Sequence, residues 1–99
     1  MMLTTAPPPA CYASVASFYA ANRERGPFHT TVVTEGNYAY ASWYGLHSGG
    51  EGAFQRRAGR WCKLVNGGGA MNVQELAASG VPRATAERLF AKMRAKRPA

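Results

Sequence analysis

The sequence predicts an α+β domain: an N-terminal helix packed on a four-stranded antiparallel sheet, followed by two C-terminal helices. Three observations carry this. Apolar residues recur at three- and four-residue spacing from Cys11 to about Arg25. The period changes to two between Thr30 and Asn66, punctuated by Gly36-Asn37 and Ala58-Gly59. Beyond Gly67-Gly68-Gly69 helical spacing returns in two stretches divided by Gly80-Val81-Pro82.

Each element has a local cause. In the first helix Cys11, Val15 and Phe18, with Tyr12 and Tyr19, form one broad apolar face, and Gly26-Pro27 supplies the stop. Thr30 to Thr34 is β-branched throughout, which suits a strand. Across the Gly36-Asn37 turn, Ala39, Ala41 and Trp43 alternate with Tyr38, Tyr40 and Ser42. A loop from Gly45 to Gly50 then leads to strands over Glu51–Arg57 and Arg60–Asn66. Asn72 with Glu75 has the spacing of a capping box. The helix it opens should close at Gly80 in the left-handed conformation, with Val81 touching back on its last turn. The final helix, Arg83 to Lys96, places Ala86, Leu89, Phe90 and Met93 on one stripe. A half-cone, cystatin-like sheet wrapped on a helix is the closest architecture. The Pro7-Pro8-Pro9 run favours an extended tail over 1–9, which leaves 10–97 as one domain.

At 99 residues, with 46% apolar and 17% charged residues, the chain can bury one core, which argues against disorder. No run approaches the roughly 18 apolar residues that cross a bilayer. No charged n-region precedes a hydrophobic stretch at the N-terminus, so the compartment has to be argued from elsewhere. Twelve Lys and Arg against five Glu give +7, and Asp is absent, which disfavours calcium and magnesium sites. Arg83, Arg88, Lys92, Arg94, Lys96 and Arg97 cluster at the C-terminus and suit nucleic acid or another polyanion.

Cys11 and Cys62 are the only cysteines, on elements expected to pack together. They are either a disulfide, worth about 4 kcal/mol through loop closure, or two buried thiols. His29 and His47 lie in loop-like surroundings without metal-motif spacing, so no metal site is assigned. A copper site would have to be assembled across the fold from His29, His47, Met71, Met93 or a reduced cysteine. Nucleophilic catalysis would need Cys62 beside His47 with Glu51 as the orienting acid, and nothing in the spacing ties these together. The glycine runs at 49–52 and 67–69 match no phosphate-loop pattern and read as turns or close-packing positions.

The aromatic strands offer the strongest binding signal. If Ala39, Ala41 and Trp43 face the first helix, Tyr38 and Tyr40 lie on the opposite, outer face. With Tyr44, His47 and Arg56 they form the predicted ligand-binding set; the same face would serve equally as a homodimer interface.

The motifs Trp43, Gly49-Gly50-Glu51-Gly52-Ala53-Phe54, Gly59-Arg60-Trp61, Gly67-Gly68-Gly69 and Gly80-Val81-Pro82 follow in this order, within a matching stretch of roughly residues 31 to 95. This pattern resembles small bacterial exported proteins associated with copper uptake systems, and cyanobacterial relatives of unknown function. The resemblance implies export to the periplasm or beyond, a small α+β fold, and no established enzymatic activity; it carries no catalytic residue or copper ligand set across. The expected function is that of a non-enzymatic exported protein binding a protein partner or small ligand, with a link to copper handling. The alternative is a nucleic-acid or polyanion-binding module using the basic C-terminal helix.

Overall fold

A computed structural model describes residues 11–22 and 28–96. The predicted tail over 1–9, the Arg25 helix end with its Gly26-Pro27 stop, and Arg97 lie outside the described residues. Eight elements follow in order: β1 (Cys11–Tyr12), α1 (Val15–Asn22), β2 (His29–Glu35), β3 (Tyr38–Tyr44), β4 (Gly49–Arg57), β5 (Arg60–Gly68), α2 (Val73–Ser79) and α3 (Arg83–Lys96). The class is α+β as predicted, with one strand more: the antiparallel sheet has five strands in the order β1-β5-β4-β3-β2.

The extra strand comes from the segment expected to open the first helix. Ser14, not Cys11, starts α1: its hydroxyl accepts the Ser17 N–H at 3.0 Å and its carbonyl accepts the Phe18 N–H at 3.3 Å. The two residues released pair with β5, Cys11 opposite Cys62 and Tyr12 opposite Trp61. The Cys11–Cys62 disulfide, with an S–S distance of 2.09 Å, therefore joins directly opposed positions on neighbouring strands.

The central hairpins follow the expected turns. Gly36 at φ 58° joins β2 to β3, and Ala58 at φ 49° with Gly59 at φ 76° joins β4 to β5. At Ala58-Gly59 the positive φ of both central residues, and at Gly36-Asn37 that of the first, match the right-handed twist of the flanking strands. Two boundaries differ from expectation. β4 begins at Gly49, inside the predicted loop, and β5 continues to Gly68, because the backbone at Gly50 packs against Gly67 too closely to admit a side chain at position 50. A methyl at Gly50 would stand 1.9 Å from the Gly67 carbonyl oxygen and 2.8 Å from the Trp43 ring. Leu64 is the extra residue of a bulge, since Ala53 faces Val65 while Phe54 faces Lys63.

Both faces of the sheet are covered. On one, Val15, Phe18 and Tyr19 of α1 pack against Ala39, Ala41 and Phe54. On the other, Leu76, Val81, Ala86, Leu89 and Met93 of the α2–α3 pair pack on Val33, Tyr40 and Ala53. α2 opens with the predicted Asn72–Glu75 capping box and ends at Gly80, φ 116°. There the Gly80 N–H donates to Ala77 O and the Val81 N–H to Leu76 O, both at 3.1 Å, and Leu76 and Val81 share the core below. No helix among the described residues is long and apolar enough to cross a membrane.

Two outcomes follow from this packing. Gly50→Ala should destabilise by at least about 1–3 kcal/mol through overpacking, whereas Gly67→Ala, with no atom within 4 Å of its added methyl, should be close to neutral; urea unfolding of the two variants checks the contrast. Reducing the bridge, which spans a sequence separation of 51, should lower stability by about 4 kcal/mol. Paired denaturation curves with and without reductant give that difference directly.

Candidate functional site

The outer face predicted for ligands is the face that α2 and α3 cover. The assignment of faces holds: Ala39, Ala41 and Trp43 lie toward α1, and Tyr38 and Tyr40 lie away from it. Their exposure does not hold for Tyr40, which is 0% exposed with its ring 4.5 Å from that of Phe90. The physical reason is the apolar stripe of α3, which itself needs a surface to bury against and finds this one.

Beneath that cover lies a polar knot. The Tyr40 hydroxyl donates to Glu51 Oε1, and the same oxygen accepts the Met71 N–H at 2.6 Å. Glu51, 5% exposed, thus ties β3 and β4 to the segment entering α2. Burying a carboxylate is costly unless it is hydrogen-bonded, and these donors meet that requirement. Nothing in the pattern of glycines around Glu51 signalled this role.

The rest of the predicted ligand set is divided between the two ends of the sheet. Tyr38 is half-buried, its hydroxyl accepting from Gln55 Nε2 at 3.4 Å. Tyr44, 57% exposed, stacks on His29 at 4.7 Å, next to exposed His47 and 60% exposed Leu46 in the loop closed by the Gly45 N–H to Ser48 O bond. Arg56 lies at the opposite end of β4, seven residues from the Tyr44 partner Gly49 and so about 23 Å away along the strand. The structure brings Tyr44 and His47 to one loop region and keeps Arg56 apart from them.

The metal and nucleophile candidates are dispersed as well. Met93 is 1% exposed in the core, Met71 packs on the same cluster, and His29 is engaged with Tyr44. Cys62 is bonded to Cys11, which removes the thiolate that catalysis with His47 or ligation of copper would use. Among the described residues no group of three or more His, Cys, Asp or Glu is placed to hold a metal ion.

What the fold does assemble is a cationic rim around the Gly36-Asn37 turn. From one side Arg56 donates to Asn37 Oδ1 through Nε at 3.3 Å and Nη2 at 3.0 Å, and its guanidinium lies 5.7 Å from the centre of the Trp61 ring. From the other side Lys92 Nζ reaches Glu35 Oε1 at 2.8 Å and donates to the Thr34 carbonyl at 2.7 Å. The hydrogen bond from Lys92, helped by the charges of Lys92 and Arg88, holds the Glu35 carboxyl below its ordinary pKa. At the neighbouring β4–β5 turn Arg57 bonds Gln55 Oε1 at 3.0 Å and Arg60 bonds the Cys11 carbonyl at 3.2 Å. Arg83, Arg94 and Lys96 are exposed on α3. The sequence showed a basic C-terminal cluster and Arg56 apart from it; their convergence on one turn required the sheet order and the placement of α3.

Under α1, Tyr19 is 3% exposed and its hydroxyl donates to Asn66 Oδ1 at 2.8 Å, beside Gly52. Burial, and then the nearby Glu51 charge, push its pKa above the ordinary 10.0. Trp43 Nε1 is buried without a hydrogen-bond partner among the described residues. Set against family models, curated proteins and solved structures, the chain matches none.

A raised Tyr19 pKa means that the unfolded chain loses this proton more readily than the folded one. Its contribution to stability is complete below pH 10 and should be lost as pH rises beyond it. In Tyr19→Phe that part of the alkaline loss should vanish, as urea midpoints measured from pH 8 to 11 would reveal.

Proposed function

We propose that this chain is a non-enzymatic exported binding module whose basic rim engages an acidic partner. The observation that carries the reading is the convergence of Arg56 from β4 and of Lys92 and Arg88 from α3 on the β2–β3 turn of a chain with net charge +7. Among the described residues Glu35 is the carboxylate held within this rim, and Lys92 already pairs with it. A surplus of exposed cations at one end creates a local field that draws anionic surfaces.

Export is supported by the Cys11–Cys62 bridge, because disulfides form and persist in oxidising compartments. A link to copper handling rests on the resemblance to exported copper-associated proteins alone. The small-ligand reading keeps a narrower basis, the exposed Tyr44, Leu46 and His47 at the far end of the sheet.

Binding to immobilised heparin, as a defined polyanion, tests the rim. Affinity should fall steeply with salt and should drop further in the triple variant Arg56→Gln, Arg57→Gln, Arg60→Gln. Retention that ignores these substitutions, or that disappears below physiological salt, would exclude the rim as a binding surface.

A further inference from the structure

The sheet ends at β2, an edge rich in β-branched residues. Seven residues, His29–Glu35, pair with β3 in unbroken register, and the five between the end residues are all Thr or Val. The Thr34 carbonyl points away from β3, since it accepts from Lys92 Nζ. In an antiparallel ladder the outward positions alternate, so the N–H and C=O groups of Thr30, Val32 and Thr34 all face away from the sheet. Among the described residues Thr30 and Val32 make no backbone bond outside the ladder. Proteins usually blunt such an edge. Among the described residues Lys92 and Glu35 do so at the Thr34 end.

Beside that edge an open groove of about 460 Å³ lies between Val32, Val33 and Thr34 on the strand and Lys92, Ala95 and Lys96 on α3. Val32, Val33 and Ala95 give it apolar lining, and Lys92 and Lys96 give it two cations. Arg88, Lys92 and Lys96, at four-residue spacing, share one face of α3. We propose that β2 accepts an extended acidic segment of another protein as a sixth strand, its backbone pairing with Thr30 and Val32. One apolar side chain of that segment fills the groove, and its carboxylates meet Lys92 and Lys96. This rests on the acidic-partner reading and specifies the partner as a polypeptide. A second copy of this chain fits the edge less well, because pairing β2 with β2 would bring two cationic α3 helices, from two chains of net charge +7, against each other. Nucleic acid has no alternating N–H and C=O groups with which to extend the ladder.

The decisive variant is Val32→Pro. Its N–H faces outward, so proline removes an edge donor without breaking the β2–β3 ladder. The probe is a fluorescent peptide of alternating Glu and Val, read by anisotropy beside heparin. The peptide should bind, Val32→Pro should weaken it about tenfold with heparin retention unchanged, and Lys96→Glu should weaken it as well. In the native-sequence protein, saturating peptide should slow amide exchange at Thr30 and Val32, a readout that does not depend on the variant folding. Peptide affinity indifferent to Val32→Pro, or no new protection at those amides, would overturn edge pairing while leaving the acidic-partner reading intact. Loss of both peptide and heparin binding at physiological salt would remove both readings. Concentration-dependent dimerisation in sedimentation that Val32→Pro abolishes would assign the edge to a second copy instead.

Discussion

Burial of the central strands on both sides governs the rest of this fold. Ala39, Tyr40 and Ala41 are consecutive residues on β3 and all are 0% exposed, as are Ala53 and Phe54 beside them on β4. An antiparallel sheet more often keeps one face wet, and its strands then alternate in polarity. Here the small Ala39 and Ala41 let the aromatic ridge of α1 approach one side, while Tyr40 fills the other under α3. A carboxylate at Glu51 is accommodated in such a sheet because Tyr40 and the Met71 amide supply its donors.

Exposed polar chemistry is thereby displaced to the perimeter. With α1 on one face and the α2–α3 pair on the other, the exposed chemistry lies in turns, on the outer side of α3 and along β2. The cations are concentrated there. The fold thus arranges its surplus charge around turns held by rigid strands, where long side chains retain their reach and where Arg56 is anchored on Asn37 and Trp61.

Elements with local signals were legible in the sequence. The Gly36-Asn37 and Ala58-Gly59 turns, the Asn72–Glu75 capping box and the Gly80-Val81-Pro82 junction depend on neighbours within a few residues, and each stands where the pattern placed it. β1 was not legible, because two residues carry no periodicity and Cys11 and Tyr12 fit the helical spacing that Ser14 interrupts. The burial of Tyr40 was not legible for a different reason. Alternation tells which residues share a face but not what covers it, and the apolar stripe of α3 carries no local sign of the surface it packs on. The basic rim likewise depends on contacts such as Lys92 with Glu35, which are distant in sequence and carry no local trace.

The pairing of β1 with β5 also sets an order of assembly. β2 to β5 form a meander of neighbours closed by short turns, and α2 and α3 follow one another directly, so these parts can form from local contacts. The first strand cannot join until the last has been made, since its partner Cys62 lies 51 residues away. The disulfide therefore closes a long loop across the sheet, and the covalent bond reinforces a pairing made by only two residues of strand.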